Sequence, residues 1–490
     1  MKRIKIFISA IFLAFTAVCG LHAKESLDEL LKGYLSNDLD LRSLSSQMQK
    51  VILESEITTV SNGFSFKISS GTITFTTGDD WNIKFTPTAT FAVPDAKNLG
   101  ISVSSSMLFD SKDTTDTFSN TSLKVSVDII SNDSKNREIT KLKTQRKVLE
   151  AQRNLQNGFV SAEKKFYETL KSLYEMAAKI VSLEKSLYDD QLSLDTLKAQ
   201  GYTTSSTKYR TANMKVLNDQ YEIDVQKKNM EREVKVFCAK CGVKYTETDP
   251  VNFLPEQIPD VEPVSVDSFS PSDYKKVEAA SWNAYISKLE READGNIKLT
   301  ANAGFTFNNE RTRSHTVDVG SNFTWNDTGL ALNVGANLPV GSDSFTPVFT
   351  LGVSFDPNAF KVAKLNDQIT ELEVSAEELE KQNAQIDFGT AMVSQKSSLE
   401  NILWEAKTCA ESYDMYSSLA ADMANYYRQG YVNKTEYNNA QVNKENYRLK
   451  ILINKLDLLI YNDTTTLLFV RDGEFLNSDA EVEEKSDVKE

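Results

Sequence analysis

Apolar and polar residues alternate along two stretches of the chain, 64–130 and 297–355. A period of two predicts β-strands with one apolar and one polar face. We predict four strands in each stretch, an even number, so that each stretch leaves the sheet at the end where it entered. The expected strands are 64–77 (with a bulge near Gly71), 82–93, 99–109 and 121–130, then 297–307, 316–325, 329–338 and 346–355.

The rest of the chain follows the period of an α-helix. Two of the predicted helices are very long, 133–200 and 358–428, and each is followed by a shorter return helix, 205–242 and 434–461. At 1.5 Å per residue, the first long helix would extend about 100 Å. A helix also precedes each group of strands, and the first of these spans 26–60.

Both long helices carry apolar residues every seven positions. A sustained seven-residue period predicts helices that supercoil against long neighbours, as in a coiled coil. We interpret the accompanying tyrosines as packing residues. The stripes are Phe159, Phe166, Leu173, Ile180, Leu187 and Leu194 beside Val160, Tyr167, Tyr174, Val181 and Tyr188, and then Leu365, Leu372, Leu379, Ile386 and Val393.

A Gly-Tyr pair separates each long helix from its return helix, at Gly201-Tyr202 and again at Gly430-Tyr431. Glycine is the residue that most readily takes the positive φ that ends a helix. The flanking residues recur as well: Thr207, Lys208, Tyr209 and Ala212 match Thr435, Glu436, Tyr437 and Ala440. We therefore predict two structural repeats, 24–242 and 271–470, joined by a proline-rich linker at 243–270.

The two ends of the chain have the composition of processing or solvated segments. Residues 1–23 resemble an export signal, with basic residues followed by a short apolar run. Cys19 leaves open the alternative of cleavage just before a lipidated cysteine. The acidic tail, 471–490, is predicted to be disordered.

Charge and motif content exclude several classes of function. The 69 acidic and 55 basic residues give a net charge of −14, which does not suit nucleic acid binding. Cys238 and Cys241 form a C-x-x-C pair, but His315 is the only histidine beyond the signal, so Cys and His cannot assemble a zinc site. We interpret the cysteines as structural, with a disulfide between them left open. We expect no cofactor, no metal and no enzyme activity, because nucleophile and phosphate-binding motifs are missing from the sequence.

These patterns predict an α+β membrane protein. Strands of about ten residues with one apolar face suit a transmembrane β-barrel, where lipid covers the apolar side. A soluble sandwich or barrel with the same alternation is the alternative.

The duplicated layout resembles the TolC-like outer-membrane efflux channels over nearly all of the chain after the signal. The opening helix with Asn37-Asp38-Leu39 and the two Gly-Tyr turns carry the resemblance. It implies a homotrimer that shares one barrel in outer-membrane lipid and continues as a periplasmic α-barrel. It also implies a passive duct for efflux or type I secretion, working with a periplasmic adaptor protein and an inner-membrane transporter.

The same resemblance implies which residues lie at the periplasmic tip and contact the adaptor. These are Gly201, Tyr202, Gly430 and Tyr431. Glu436 keeps an acid that the first repeat replaces by Lys208, and if it faces the lumen, three copies would form a ring of negative charge. The alternative is that Glu436 lies on a solvated helix face or caps a helix start. Four strands per half exceed the family's usual two.

Two other functions remain open from the sequence. A coiled-coil stalk of a structural or adhesive surface protein accounts for the long helices but not for matched strands in both halves. A monomeric porin accounts for eight strands but leaves the long helices without a role.

Overall fold

The computed structural model describes residues 26–77, 81–94, 96–110, 118–308, 315–341 and 345–470. The predicted signal (1–23), the candidate lipidation site Cys19 and the predicted disordered tail (471–490) lie outside these ranges. No helix in the described ranges is both long enough and apolar enough to cross a membrane.

The protein is rich in helix and contains one antiparallel sheet, as the sequence predicts in outline. The helices are α1 (Leu27–Asn37), α2 (Leu39–Ser61), α3 (Asp133–Ala199), α4 (Thr207–Cys241), α5 (Lys275–Ala293), α6 (Asn358–Gln429) and α7 (Lys434–Leu468). The strands are β1 (Ser65–Ser69), β2 (Thr74–Thr76), β3 (Asn82–Phe85), β4 (Thr88–Val93), β5 (Leu99–Asp110), β6 (Phe118–Ile130), β7 (Ile297–Asn308), β8 (His315–Trp325), β9 (Leu330–Val340) and β10 (Val348–Phe355).

The first group of strands is more divided than predicted. The stretch predicted as 64–77 forms β1 and β2, which pair with β4 and β3. From Ser69 to Thr74 the chain advances five residues while its partner advances four, from Thr88 to Lys84. One extra residue between two paired positions is a β-bulge. The bulged segment, between Ser69 and Thr74, contains Gly71 at φ +64°.

The stretch predicted as 82–93 is interrupted at Pro87, which has no N–H to donate to a neighbouring strand. Its two parts, β3 and β4, nevertheless keep a single register against β5: Thr88 pairs with Ser104 and Phe85 with Met107. The sheet is therefore an antiparallel meander of eight strand positions. Its two outer positions, β1–β2 and β10, are joined to no further strand of the described chain.

The strand register aligns apolar side chains across the whole sheet. One transverse row, read from β1 to β10, runs Phe66, Phe91, Ile101, Val125, Ala303, Val319, Ala336 and Phe349. The next row runs Ile68, Ala89, Val103, Leu123, Phe305, Val317 and Leu338. Successive residues of a strand point to opposite faces, so these rows form one continuous apolar face.

Contacts between residues divide the chain into two units, each made of three segments. The helical unit comprises the described residues up to Arg42, Asn157–Val266 and Val393–Leu468. The sheet unit comprises Ser43–Gln156, Asp267–Met392 and the described residues from Phe469 onwards. Each is described separately below.

The core of the helical unit forms around the seven-residue stripe of α3. Phe166, Leu173 and Ile180 are each at most 1% exposed. They pack in one cluster with residues of α1, α4, α7 and the linker: Leu30, Met230, Val234, Phe237, Leu254, Ile258, Leu449 and Leu456. Tyr174 is buried in the same cluster and donates its hydroxyl hydrogen to the carbonyl of Pro255.

The matching stripe of α6 remains uncovered. Leu365, Leu372, Leu379, Ile386 and Val393 are between 50% and 72% exposed. Within the described residues of the chain, this stripe therefore has no packing partner. This exposure is the main asymmetry between the two halves.

Cys238 and Cys241 are both buried at the C-terminal end of α4, and neither forms a disulfide. They lie one turn apart on a regular helix, where Cβ atoms are about 5–6 Å apart, too far for the ~3.8 Å that a disulfide prefers. They act as small apolar residues in the core of the helical unit.

Candidate functional site: the two helix-reversing turns

The turn after α3 ends the helix through backbone hydrogen bonds alone. Gly201 has φ +85°, its N–H donates to the carbonyl of Lys198 (3.0 Å), and the N–H of Tyr202 donates to the carbonyl of Leu197 (3.0 Å). This pair of bonds is the Schellman motif, which satisfies the last carbonyls of a helix.

The turn after α6 has the same geometry. Gly430 has φ +78°, its N–H donates to the carbonyl of Tyr427 (3.1 Å), and the N–H of Tyr431 donates to the carbonyl of Tyr426 (2.9 Å). A Cβ atom added at either glycine would meet no atom within 4 Å. Glycine is therefore favoured at both positions by the positive φ and not by crowding.

The two tyrosines that follow these glycines differ in their surroundings. The ammonium group of Lys208 lies 5.6 Å from the ring centre of Tyr202, a cation–π contact that partly covers the ring. Tyr431 is 77% exposed. Within the described residues, no hydrogen bond or ring contact joins the two tyrosines, and the helical unit presents two separate turns.

Glu436 completes a capping box at the start of α7. Its backbone N–H donates to Oδ1 of Asn433 (2.9 Å), and its carboxylate accepts from the backbone N–H of Asn433 (3.0 Å). The structure thus shows the capping alternative for Glu436, which remains exposed at the protein surface. The Asn-x-x-Glu spacing of Asn433 and Glu436 is the sequence signal for this arrangement.

Aromatic residues that the sequence did not single out as site residues support the second turn. Tyr427 and Tyr437 stack with ring centres 5.2 Å apart, which ties the end of α6 to the start of α7. The ammonium group of Lys434 lies 5.9 Å from the ring centre of Tyr188 on α3. The second turn therefore rests on the long helix of the first half.

One half-buried acid of the helical unit has a strongly raised pKa. Burial and, to a smaller extent, the nearby charge of Glu163 together raise the pKa of Asp463 to about 7, against the opposing charge of Lys164. Its Oδ2 atom is buried without a hydrogen-bond partner. Glu163 in turn accepts a hydrogen bond from the hydroxyl of Tyr167 (2.9 Å).

The sheet unit contains a buried ion cluster between α3 and α5. Glu278 is 5% exposed and binds the guanidinium groups of Arg146 and Arg153, the latter at 3.0 Å. The Arg146 guanidinium also lies 5.1 Å from the ring centre of Trp282. The cluster therefore fixes α5 against the first part of α3.

No group of three or more His, Cys, Asp or Glu side chains within the described ranges is arranged to hold a metal ion. The candidate sites are turns, a sheet face and helix surfaces.

Two family models cover most of the chain in succession. The TP096X N-terminal domain matches residues 30–258 and the TP096X C-terminal domain matches residues 259–472. Their shared boundary lies within the predicted linker, 243–270. No curated protein matches the chain.

Solved structures similar to this chain include outer-membrane channels. The channel OprN is 12% identical with a TM-score of 0.46, and the match covers 89% of both chains. Campylobacter jejuni CmeC is 11% identical with a TM-score of 0.45, covering 97% of this chain and 94% of the channel. Vibrio cholerae VceC is 11% identical with a TM-score of 0.43, covering 90% of this chain and 95% of its own.

Proposed function

For a chain that carries the N-terminal and C-terminal TP096X domains in succession, we propose the role of a TolC-like outer-membrane channel. In this proposal the protein is the passive exit duct of a tripartite efflux or type I secretion system. The observation that carries the proposal is the continuous apolar face of a sheet whose two outer strand positions have no partner. In a membrane-spanning barrel, lipid would cover the apolar face of such a sheet and water would cover its polar face.

The uncovered strand edges favour closure by further copies of the same chain. The apolar side chains of β10 are openly exposed: Phe349 at 74%, Leu351 at 73% and Val353 at 62%. Phe66 and Ile68 on β1, at the opposite edge, are 61% and 71% exposed. Unpaired edges are not tolerated in a bilayer, so β10 of one copy would pair with the first strand position of the next.

The exposed stripe of α6 leads to the same assembly. A second copy offers a helix of matching length, and a seven-residue stripe needs such a neighbour to be buried. Three copies related by a three-fold axis would cover every stripe and every edge, because cyclic symmetry leaves no interface unpaired. We propose that the helices of the three copies form the periplasmic α-barrel.

We assign the two turns to the periplasmic tip that meets an adaptor protein, which in turn couples to an inner-membrane transporter. The exposed ring of Tyr431 supports this assignment, since aromatic side chains are frequent anchors at protein interfaces. Glu436 keeps one carboxylate oxygen beyond the capping bond to Asn433, so a charge ring in the lumen remains part of the proposal.

The purified channel, mixed with its adaptor protein, tests this tip assignment. We expect a larger complex with the unaltered chain and a weaker one with Tyr431→Asp, which places a charge at the exposed ring. Tyr221→Asp, at a 72% exposed tyrosine on α4, is the matched control and should leave the complex intact. Equal binding by the unaltered chain and Tyr431→Asp would contradict the assignment.

A further inference from the structure

The polar face of the sheet is also organised in transverse rows. One row is hydroxyl-bearing from β1 to β8 and ends at Pro339 on β9; its hydroxyl-bearing residues are Ser69, Thr88, Ser104, Ser122, Thr306 and Thr316. Another consists mainly of small residues: Ser65, Ala92, Gly100, Ser126, Asn302, Gly320, Gly335 and Thr350. Neither row contains a charged residue.

A row between these two concentrates charge. The register places Lys67, Thr90, Ser102, Lys124, Gly304, Asp318 and Asn337 side by side from β1 to β9. We name this row the lysine belt. Lys67 and Lys124 are both exposed, and Gly304 provides no side chain between Lys124 and Asp318.

The belt is net positive, although the chain as a whole carries −14. Its single acid, Asp318, accepts a hydrogen bond at Oδ1 from the amide nitrogen of Asn337 (2.5 Å). That bond engages one carboxylate oxygen with β9, while the stems of Lys124 and Asp318 flank Gly304, where an added Cβ would lie 3.4 Å from Cγ of Lys124 and 3.7 Å from Cβ of Asp318. The lysine belt thus carries the ammonium groups of Lys67 and Lys124 and one carboxylate, that of Asp318, which is hydrogen-bonded to Asn337.

We propose that the lysine belt is a binding level for anionic solutes, those that carry carboxylate or phosphate groups, as they pass the sheet. This inference rests on the proposed function, in which the polar face lines a passage. Charged side chains that ring a pore set its preference between cations and anions, and a low-dielectric wall strengthens their field. The hydroxyl row beside the belt offers neutral hydrogen-bond donors to the same anions.

Thiol labelling in proteoliposomes of the full-length chain tests the belt. Ser102→Cys places a thiol in the belt, one strand from its register partner Lys124 and about 5 Å away. Ile101→Cys places a thiol on the apolar face next to it. Each variant is treated with an anionic and with a cationic water-soluble methanethiosulfonate, and both rates are divided by those of a free small thiol. The unaltered chain gives the background of its native cysteines.

We expect Ser102→Cys to favour the anionic reagent by roughly three- to tenfold over the free thiol. Adding Lys124→Gln should reduce this preference at least twofold, and adding Asp318→Asn should increase it. Lys50→Gln, at an exposed lysine on α2, is the matched control and should change nothing. A Ser102→Cys thiol that shows no preference for the anionic reagent, or a preference that Lys124→Gln leaves unchanged, would overturn the belt.

Ile101→Cys separates this failure from a failure of the proposed function. We expect it to react with neither reagent, because lipid covers the apolar face. If Ile101→Cys reacts as fast as Ser102→Cys, the apolar face is not against lipid, and both the channel and the belt are wrong. A Ser102→Cys thiol that is closed to both reagents would likewise overturn both.

Discussion

Val125 of β6 lies opposite Ala303 of β7, and this pairing joins the two halves of the chain in one sheet. Every other strand pair of the described sheet unites strands of the same half. The two segments that match the TP096X N-terminal and C-terminal domain models therefore share a single sheet. A break between β6 and β7 would expose two further edges, so neither half is expected to form this structure alone.

The two Gly-Tyr turns make a prediction about stability. Gly430→Ala should lower the free energy of unfolding by about 1 kcal/mol, since alanine at φ +78° is strained although its Cβ meets no atom. Gly430→Asn should cost less, because asparagine tolerates this backbone region better. Gly389→Ala, within α6, is the control and should raise stability, because alanine is the better helix former. Thermal unfolding followed by circular dichroism measures all three; a stabilising Gly430→Ala would contradict the turn geometry.

The exposed stripe of α6 makes a prediction about assembly. Leu372→Glu, at a side chain 72% exposed in one copy, should break or weaken the trimer because it places a charge in the helix interface. Val374→Glu is the matched control, since Val374 lies about 200° around the helix from Leu372. Native mass in mild detergent is the measurement. If Leu372→Glu leaves the mass unchanged, this stripe is not the interface.

The half-buried acid of α7, Asp463, leads to a prediction about the pH dependence of stability. Asp463 has a folded-state pKa of about 7, above the ordinary value of 3.8. Its protonated form therefore supports the fold at low pH, and that support is lost as the pH rises from about 4 through 7. Asp463→Asn should raise the melting temperature by a few degrees at pH 8 and make little difference at pH 4.

Asp457→Asn, on the same helix, is the control for that change. Asp457 pairs with Lys171 at 2.6 Å, so its removal should lower the melting temperature at pH 8. Equal effects of Asp463→Asn at both pH values would show that its carboxyl does not titrate in this range.

The ion cluster of the sheet unit predicts a large loss on removal of its acid. Glu278→Gln leaves Arg146 and Arg153 beside a neutral group in a buried site and should cost about 3–5 kcal/mol. Glu292→Gln, in an exposed pair with Lys288 on the same helix, should cost less than about 1 kcal/mol. Chemical denaturation of the two variants measures the difference. Similar losses would mean that the cluster adds no more than a surface ion pair.

The spacing of apolar residues in the sequence predicts the helices and strands and their apolar faces, but it does not predict which other helix or strand each face or edge contacts. Alternation indicates which side of β6 is apolar, whereas it does not indicate that β6 pairs with β7. The stripes of α3 and α6 have the same seven-residue period, yet α1, α4, α7 and the linker bury only the first. That choice depends on contacts between segments far apart in the chain, which a local pattern does not record.

Some features of the candidate site were open to sequence reasoning and others were not. Gly201 and Gly430 stand out because only glycine readily takes a positive φ at a helix end. The capping box of Asn433 and Glu436 follows from their spacing. The raised pKa of Asp463 and the contact of Lys434 with Tyr188 have no local signal, since both arise where α7 meets α3.

The native mass of the full-length protein, extracted from membranes in mild detergent with its cysteines reduced, tests the central claim most directly. We predict a trimer, in which three copies close the sheet edges and cover the α6 stripes. The mass should remain that of a trimer on dilution, because each copy contributes to a shared barrel. A monomer at all concentrations would contradict the shared duct and favour a self-closed small barrel with a helical extension.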